Sequence, residues 1–217
     1  MPEQKQEPKK LYQKLNYFAD WIIRMIIVNF LTILMSLPII TIVPAITSAY
    51  HILSDALNKD ETPIFRSYFS YFKEDLSKKI IASIIVVAIL VLSIYNNRLY
   101  ATYIEQGKGI LYTIGYYITL TIIIATVMIT LYLPLVFIER KGIDLDVTVK
   151  LAFYLSGKYF FRTMFVAMTL LIPFLMLTNQ VTFLFFIFFG TTLPLLIIAA
   201  ITLKPREFLQ ETKGNQW

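Results

Sequence analysis

A chain of 217 residues that is 57% hydrophobic and only 16% charged is too apolar for a soluble domain, where about 45–50% apolar and about 25% charged residues are usual. The apolar residues come in long uninterrupted blocks, the pattern of segments that face lipid. Cysteine is absent, which excludes disulfides and thiolate metal sites, and the net charge of +6 reads as topological rather than as a nucleic-acid footprint.

The expected fold class is therefore all-α, a polytopic transmembrane helical bundle. Residues 1–20 carry four lysines and read as a basic cytoplasmic tail before an uncleaved span. One transmembrane domain, 21–203, follows, with spans at about 21–37, 80–97, 110–138, 163–178 and 181–203. At ~1.5 Å per residue these approach or exceed the ~30 Å of a hydrocarbon core. Leu177-Thr178-Asn179-Gln180 interrupts the last apolar region as a tight turn, making it a helical hairpin. Residues 204–217 read as a second cytoplasmic tail.

The stretch from Ser36 to Leu57 is ambiguous because it contains Pro38 and Pro44. Proline removes a backbone donor and disfavours helix in the residue before it, so the chain here is not regular helix throughout. Charge counting chooses among the topologies. A return through 45–57 gathers the N-terminal tail, 58–79, 139–162 and the C-terminal tail on one side, leaving only Arg98 and Lys108, of twenty Lys and Arg, on the other. That distribution satisfies the positive-inside rule. The return arm is only about 20 Å long, so a Pro-broken, re-entrant arm is expected. Ala45, Ser48, Ala49 and Ala56 permit close approach of neighbouring helices, and Thr41, Thr47 and Ser48 are placed to satisfy freed backbone groups.

Two amphipathic segments precede spans. After a predicted cap at Thr62-Pro63, Phe65, Phe69, Phe72 and Leu76 recur at helical spacing with Arg66, Lys73, Glu74 and Lys78 off the stripe. This predicts an interfacial aromatic-basic helix. Residues 144–162 repeat the pattern more weakly, interrupted by Gly157. Such helices serve as interfacial anchors or as docking faces for a cytoplasmic partner.

The run Asn29-x-Leu31, then Leu37-Pro38-Ile39-Ile40-Thr41-Ile42-x-Pro44-Ala45 and Ala49-Tyr50, resembles the signature of the YesL-like family of bacterial integral membrane proteins, whose function is not established. Phe69, Phe72 and Lys73 resemble that family's second recurring feature. Val43 stands where the family usually has glycine, and Thr32 where it often has an aromatic residue. The resemblance implies a multi-helix membrane protein found in company with binding-protein-dependent carbohydrate uptake systems. It implies no catalytic residues.

The residues themselves offer little chemistry. There is no H-E-x-x-H, Gly-rich phosphate loop or G-x-S-x-G, so no catalytic, cofactor-binding or metal-ligating residues are expected, and no nucleic-acid partner. His51 and Asp55, spaced i, i+4, form a candidate polar pair for proton relay or ligand binding, against the plainer reading of an interfacial aspartate beside a hydrogen-bonded histidine. Asp20 and Arg24 read as a snorkelling pair. Asn29 lies deeper and must bond another helix or the turn around Thr41. Leucine-proline pairs at 37–38, 133–134 and 193–194 hint at an internal repeat.

These readings point to a non-enzymatic accessory or regulatory component of the cell membrane, with both termini cytoplasmic, whose partners are the lipid bilayer and a binding-protein-dependent sugar transporter. The alternative is a small-solute channel or facilitator built around the broken helix and lined by Tyr112, Tyr116, Tyr117 and threonines.

Overall fold

The computed structural model describes residues 7–58 and 63–212, and among them every regular element is helical. The predicted cap at Thr62 lies outside the described residues. Helix α1 (Glu7–Ser36) carries a 22-residue apolar segment from Leu15 to Ser36, and a second apolar stretch, Ile39–Leu57, contains α2 (Ile42–Leu57). Helix α3 is Ile64–Lys73, and α4 (Leu76–Glu105) and α5 (Ile110–Glu139) have 30 residues each. The rest is α6 (Leu145–Lys158), α7 (Phe160–Thr169), α8 (Leu171–Met176), α9 (Gln180–Phe189), α10 (Thr192–Ile201) and α11 (Leu203–Glu211). Four helices are long and apolar enough to cross a membrane, and up to six count if each of two bent pairs is one span.

The chain breaks at Leu37-Pro38 and turns through one 3-10 turn, Ile39–Thr41. Thr41 Oγ1 reaches the carbonyls of Met35 and Pro38, both at 2.6 Å, which satisfies backbone groups freed by the break. Tyr68 of α3 links Thr32 of α1 with the Ala45 carbonyl of α2. Met35 thus lies level with Thr41 and Thr32 with Ala45, the order of an antiparallel pair. Helix resumes before the second proline: Pro44 sits in the first turn of α2, where its missing N–H costs nothing, so the return arm begins at Ile42 rather than Ala45. The Val43 amide donates to Ser83 Oγ at 3.0 Å. Ser83 is only seven residues into α4, about 10 Å along it, and α4 extends roughly 33 Å beyond that point. The α1–α2 reversal is correspondingly shallow beside α4.

Helix α4 runs past the predicted end at 97, leaving only Gln106–Gly109 as a turn. Asn97 looks like a span terminus but its amide donates to the Tyr116 carbonyl and Thr119 Oγ1 of α5, both at 3.1 Å, so the helix continues. Gly107 and Gly109, with φ of 71° and 102°, make the reversal.

Helix α6 meets the α7–α8 unit at 102°, with the corner at Tyr159. Thr163 Oγ1 bonds the carbonyls of Ser156 and Tyr159 across it, and Tyr132 of α5 bonds Thr163 at 3.0 Å. The interfacial segment and the following span are therefore separate helices. The Leu177–Asn179 turn is present, with Asn179 capping α9 through the Val181 amide. The predicted single arm 181–203 is broken instead, bent by 58° between α9 and α10. The region expected as a tail from 204 folds as α11, with Pro205 and Leu209 buried. The three leucine-proline pairs do not occupy equivalent places, since Pro38 breaks the chain, Pro134 lies inside α5 and Pro194 sits in the first turn of α10.

Three of the segments that charge counting placed together, 58–79, 139–162 and the stretch from 204, meet through their described residues at one end of the bundle. Lys141 pairs with Glu74 at 2.8 Å, and Lys78 Nζ bonds the carbonyls of Gly142 and Ile143 at 3.0 and 2.7 Å. Lys108 lies in the α4–α5 turn, at the other end of two 30-residue helices.

Candidate functional site

Helix α2 is the most enclosed element, buried from Val43 to Ala56 except at Ile46. Its small residues let five helices pack around it, and its last two turns carry Tyr50, His51, Ser54 and Asp55 into a buried polar cluster. Glu139, at the end of α5, receives Arg206 Nε of α11 on Oε1 at 2.5 Å and Gln210 Nε2 on Oε2 at 3.0 Å. Arg206 Nη1 donates to Ser54 Oγ at 2.6 Å. One ion pair thereby joins α2, α5 and α11, with side chains only 18% and 6% exposed for Arg206 and Glu139. A buried pair holds only where such additional bonds satisfy its remaining lone pairs and protons.

Beside it, Thr202 Oγ1 donates to the Ile198 carbonyl at 2.7 Å, so the 2.6 Å bond between Tyr50 and Thr202 has the tyrosine as donor. Above these hydroxyls lies a cavity of about 220 Å³ lined by residues such as Ile46, Tyr50, Leu90, Val127, Thr130 and Leu195. Its two hydroxyls are both engaged, Thr130 with the Thr126 carbonyl. The cavity is apolar.

His51 and Asp55 share a face but do not form a side-chain hydrogen bond, His51 Nε2 and Asp55 Oδ1 being 3.8 Å apart. Tyr71 of α3 intervenes: its hydroxyl donates to Asp55 Oδ2 at 2.9 Å, and its ring lies 3.6 Å from the imidazole, tilted by 34°. The Tyr71 carbonyl accepts from Lys79 Nζ at 2.9 Å, and Lys79 is 2% exposed. Among the described residues, no group of three or more His, Cys, Asp or Glu could hold a metal ion.

The remaining predicted residues divide. Asn29 bonds another helix, spanning the α9–α10 break. Leu37 and Pro38 are exposed at the reversal, while Pro44, Ala45 and Ala49 are buried within α2. Phe69 and Phe72 pack on the core while Phe65 and Lys73 stay exposed, so α3 is docked on the bundle. Its anchor is Tyr68, fully buried, off the predicted stripe. Asp20 and Arg24 make no ion pair among the described residues, and Arg24 Nη1 is buried without a hydrogen-bond partner. Tyr112, Tyr116 and Tyr117 line no part of the cavity: Tyr112 packs on Tyr103 at 4.8 Å, and Tyr117 is 62% exposed.

Sequence reading missed Glu139, Arg206, Ser54 and Gln210. One signal was available, an acid and a base closing two apolar blocks whose ends charge counting placed on one side.

Residues 25–97 match the model of a family described as "Protein of unknown function, DUF624". The matched stretch contains Asn29, the reversal, the His51–Asp55–Tyr71 group and Lys79, but neither Glu139 nor Arg206. No curated protein and no solved structure matches the chain. Over 25–97 the chain is similar to a family whose function is not known.

Proposed function

We propose that the protein is a non-catalytic membrane component that works beside a binding-protein-dependent carbohydrate importer, presenting α3, α6 and α11 on the cytoplasmic side. The observation that carries this reading is the closed state of the polar cluster that joins α2, α5 and α11. Glu139, Arg206, Ser54 and Gln210 satisfy one another, and the adjoining cavity has only two hydroxyls, both already bonded. Such a site positions helices rather than turning over a substrate or passing a polar solute.

The outward chemistry lies on α6 and the corner that follows. Lys150, Phe153, Tyr154, Lys158, Phe160 and Phe161 are exposed there, an aromatic-basic surface suited to a protein or headgroup partner. The resemblance of the Asn29 to Tyr50 signature to the YesL-like family supports carbohydrate import as the setting.

The test is mild solubilisation and affinity purification of the tagged protein, followed by identification of associated subunits, with sugar uptake measured in a deletion strain. Importer subunits in the eluate and altered uptake are expected. Unaltered uptake with no importer subunit bound sinks the reading, and solute entry into liposomes holding the protein alone replaces it with a facilitator.

A further inference from the structure

We propose that the cavity among α2, α4, α5 and α10 holds the acyl chain of a bilayer phospholipid. Its volume is about 220 Å³, larger than the ~150 Å³ at which a cavity lined by Leu, Ile and Phe stays dry and takes benzene. The two hydroxyls on its walls are spoken for: Tyr50 bonds Thr202, and Thr130 bonds the Thr126 carbonyl. The other wall side chains are aliphatic or proline, so neither a polar solute nor a headgroup finds a free donor there. Such walls lack partner atoms on the cavity side. A hydrocarbon chain supplies those contacts and asks for no hydrogen bond.

Depth and access choose a lipid chain over an apolar molecule arriving from water. On α5 the walls run from Val127 to Pro134, about 8 to 18 Å from Glu139 at the end of that helix. That is acyl depth within one leaflet of a ~30 Å hydrocarbon core. Toward the Glu139 end the cavity is closed by the Tyr50–Thr202 bond and, one turn further along α2, by the bond from Arg206 to Ser54. Sideways it is open. Leu90 of α4 and Leu170, between α7 and α8, are wall residues that stay partly exposed. Their neighbours Val91 and Leu171 are 60% and 58% exposed, on segments apolar enough to cross a membrane. A chain therefore enters from the bilayer while its headgroup stays at the membrane surface.

The full-length protein is reconstituted in phosphatidylcholine vesicles doped with a phosphatidylcholine that carries a diazirine midway along one acyl chain. After irradiation, adducts are mapped by mass spectrometry. Leu131, Leu195 and Ile198 are only 7%, 8% and 4% exposed, so a chain lying on the outer surface does not reach them. Adducts on these three walls are expected in addition to those on Val91 and Leu171; adducts confined to the exposed residues overturn the proposal. Val127→Phe fills the cavity from α5, and Leu90→Phe narrows its mouth from α4. Each is expected to lose the buried-wall adducts and keep those on Leu171, with its melting temperature in detergent reporting that it folds. Wall adducts that persist at the parent level in both variants also overturn the proposal. A free phenyl diazirine is the third arm: if it labels the buried walls and the lipid does not, the cavity takes small apolar molecules and the lipid chain is rejected.

Discussion

Asn29 of α1 accepts the Thr191 backbone amide on Oδ1 at 2.7 Å while its Nδ2 donates to the Ile187 carbonyl, also at 2.7 Å. One amide side chain therefore closes both ends of the break between α9 and α10. It also receives the Thr191 hydroxyl at 2.7 Å and the Thr192 amide at 3.2 Å, and donates to Phe186. A break inside apolar surroundings exposes the last carbonyls of one helix and the first amides of the next, and without a partner these groups are costly.

Replacing Asn29 by leucine removes every one of these bonds at once. The expected loss is about 2–3 kcal/mol, more than a typical single interhelical hydrogen bond in a membrane protein because several groups are orphaned together. Thermal unfolding in detergent measures the loss, and hydrogen exchange at Thr191 and Thr192 locates it. Unchanged melting with slow exchange at those amides contradicts the role.

Gly190 sets the other condition for that break. A Cβ there lies 2.6 Å from the Phe186 carbonyl oxygen and 2.3 Å from its ring, so Gly190→Ala forces the break to open and costs about 1–3 kcal/mol. Gly157 of α6 is the contrast, with nothing within 4 Å of an added Cβ. Gly157→Ala removes only the entropic weakness of glycine in a helix and stabilises by about 0.5–1 kcal/mol. The two substitutions move the melting temperature in opposite directions.

What was legible in the sequence followed physical signals that act locally. Apolar run length announced the spans, Pro38 the reversal, Asn179 the hairpin cap, and the distribution of lysine and arginine the end at which Glu74 and Lys141 meet. What was not legible depended on packing. Asn97 reads as the end of a span until α5 supplies its partners, Tyr68 falls off the phenylalanine stripe yet anchors α3, and Arg206 reads as tail until Glu139 receives it. The α9–α10 break is the sharpest case: Gly190, Thr191, Thr192 and Pro194 stand there, but the residue that stabilises it is more than 150 positions away.

The Glu139–Arg206 pair responds to substitution as a unit. Glu139→Ala or Arg206→Ala leaves the partner charge buried and costs about 3–5 kcal/mol each. Glu139→Leu with Arg206→Met removes both charges and is expected to lie closer to the parent protein than either single variant. A double-mutant cycle in detergent reads the coupling, and simple additivity of the two losses refutes it.

Tyr68 adds a pH signature. Its hydroxyl donates to the Ala45 carbonyl at 3.2 Å, and burial pushes its pKa from 10.0 up to about 12. The unfolded phenol thus releases its proton first on raising pH, so the stabilising increment is whole below pH 10 and is lost as pH rises to about 12. Tyr68→Phe lowers stability by about 1 kcal/mol at neutral pH, and its deficit relative to the parent protein narrows across that alkaline window. A deficit independent of pH removes the phenol ionisation from the account.

The reversal at Pro38 is open to a direct test because the chain has no cysteine. The antiparallel order of Met35 with Thr41 and Thr32 with Ala45 returns α2 toward the end of the bundle from which α1 came. That end also holds the α3–α4 and α5–α6 junctions, joined by Lys141 to Glu74 and by Lys78 to Gly142 and Ile143. Lys59→Cys, Lys141→Cys and Lys204→Cys are therefore expected to react with a membrane-impermeant maleimide from one side, and Lys108→Cys from the other. Positive charge retains loops in the cytoplasm, so inverted vesicles label the first three and intact cells the fourth. If Lys59→Cys labels together with Lys108→Cys, α2 does not return, and the packing of Tyr71 on His51 cannot hold in the membrane.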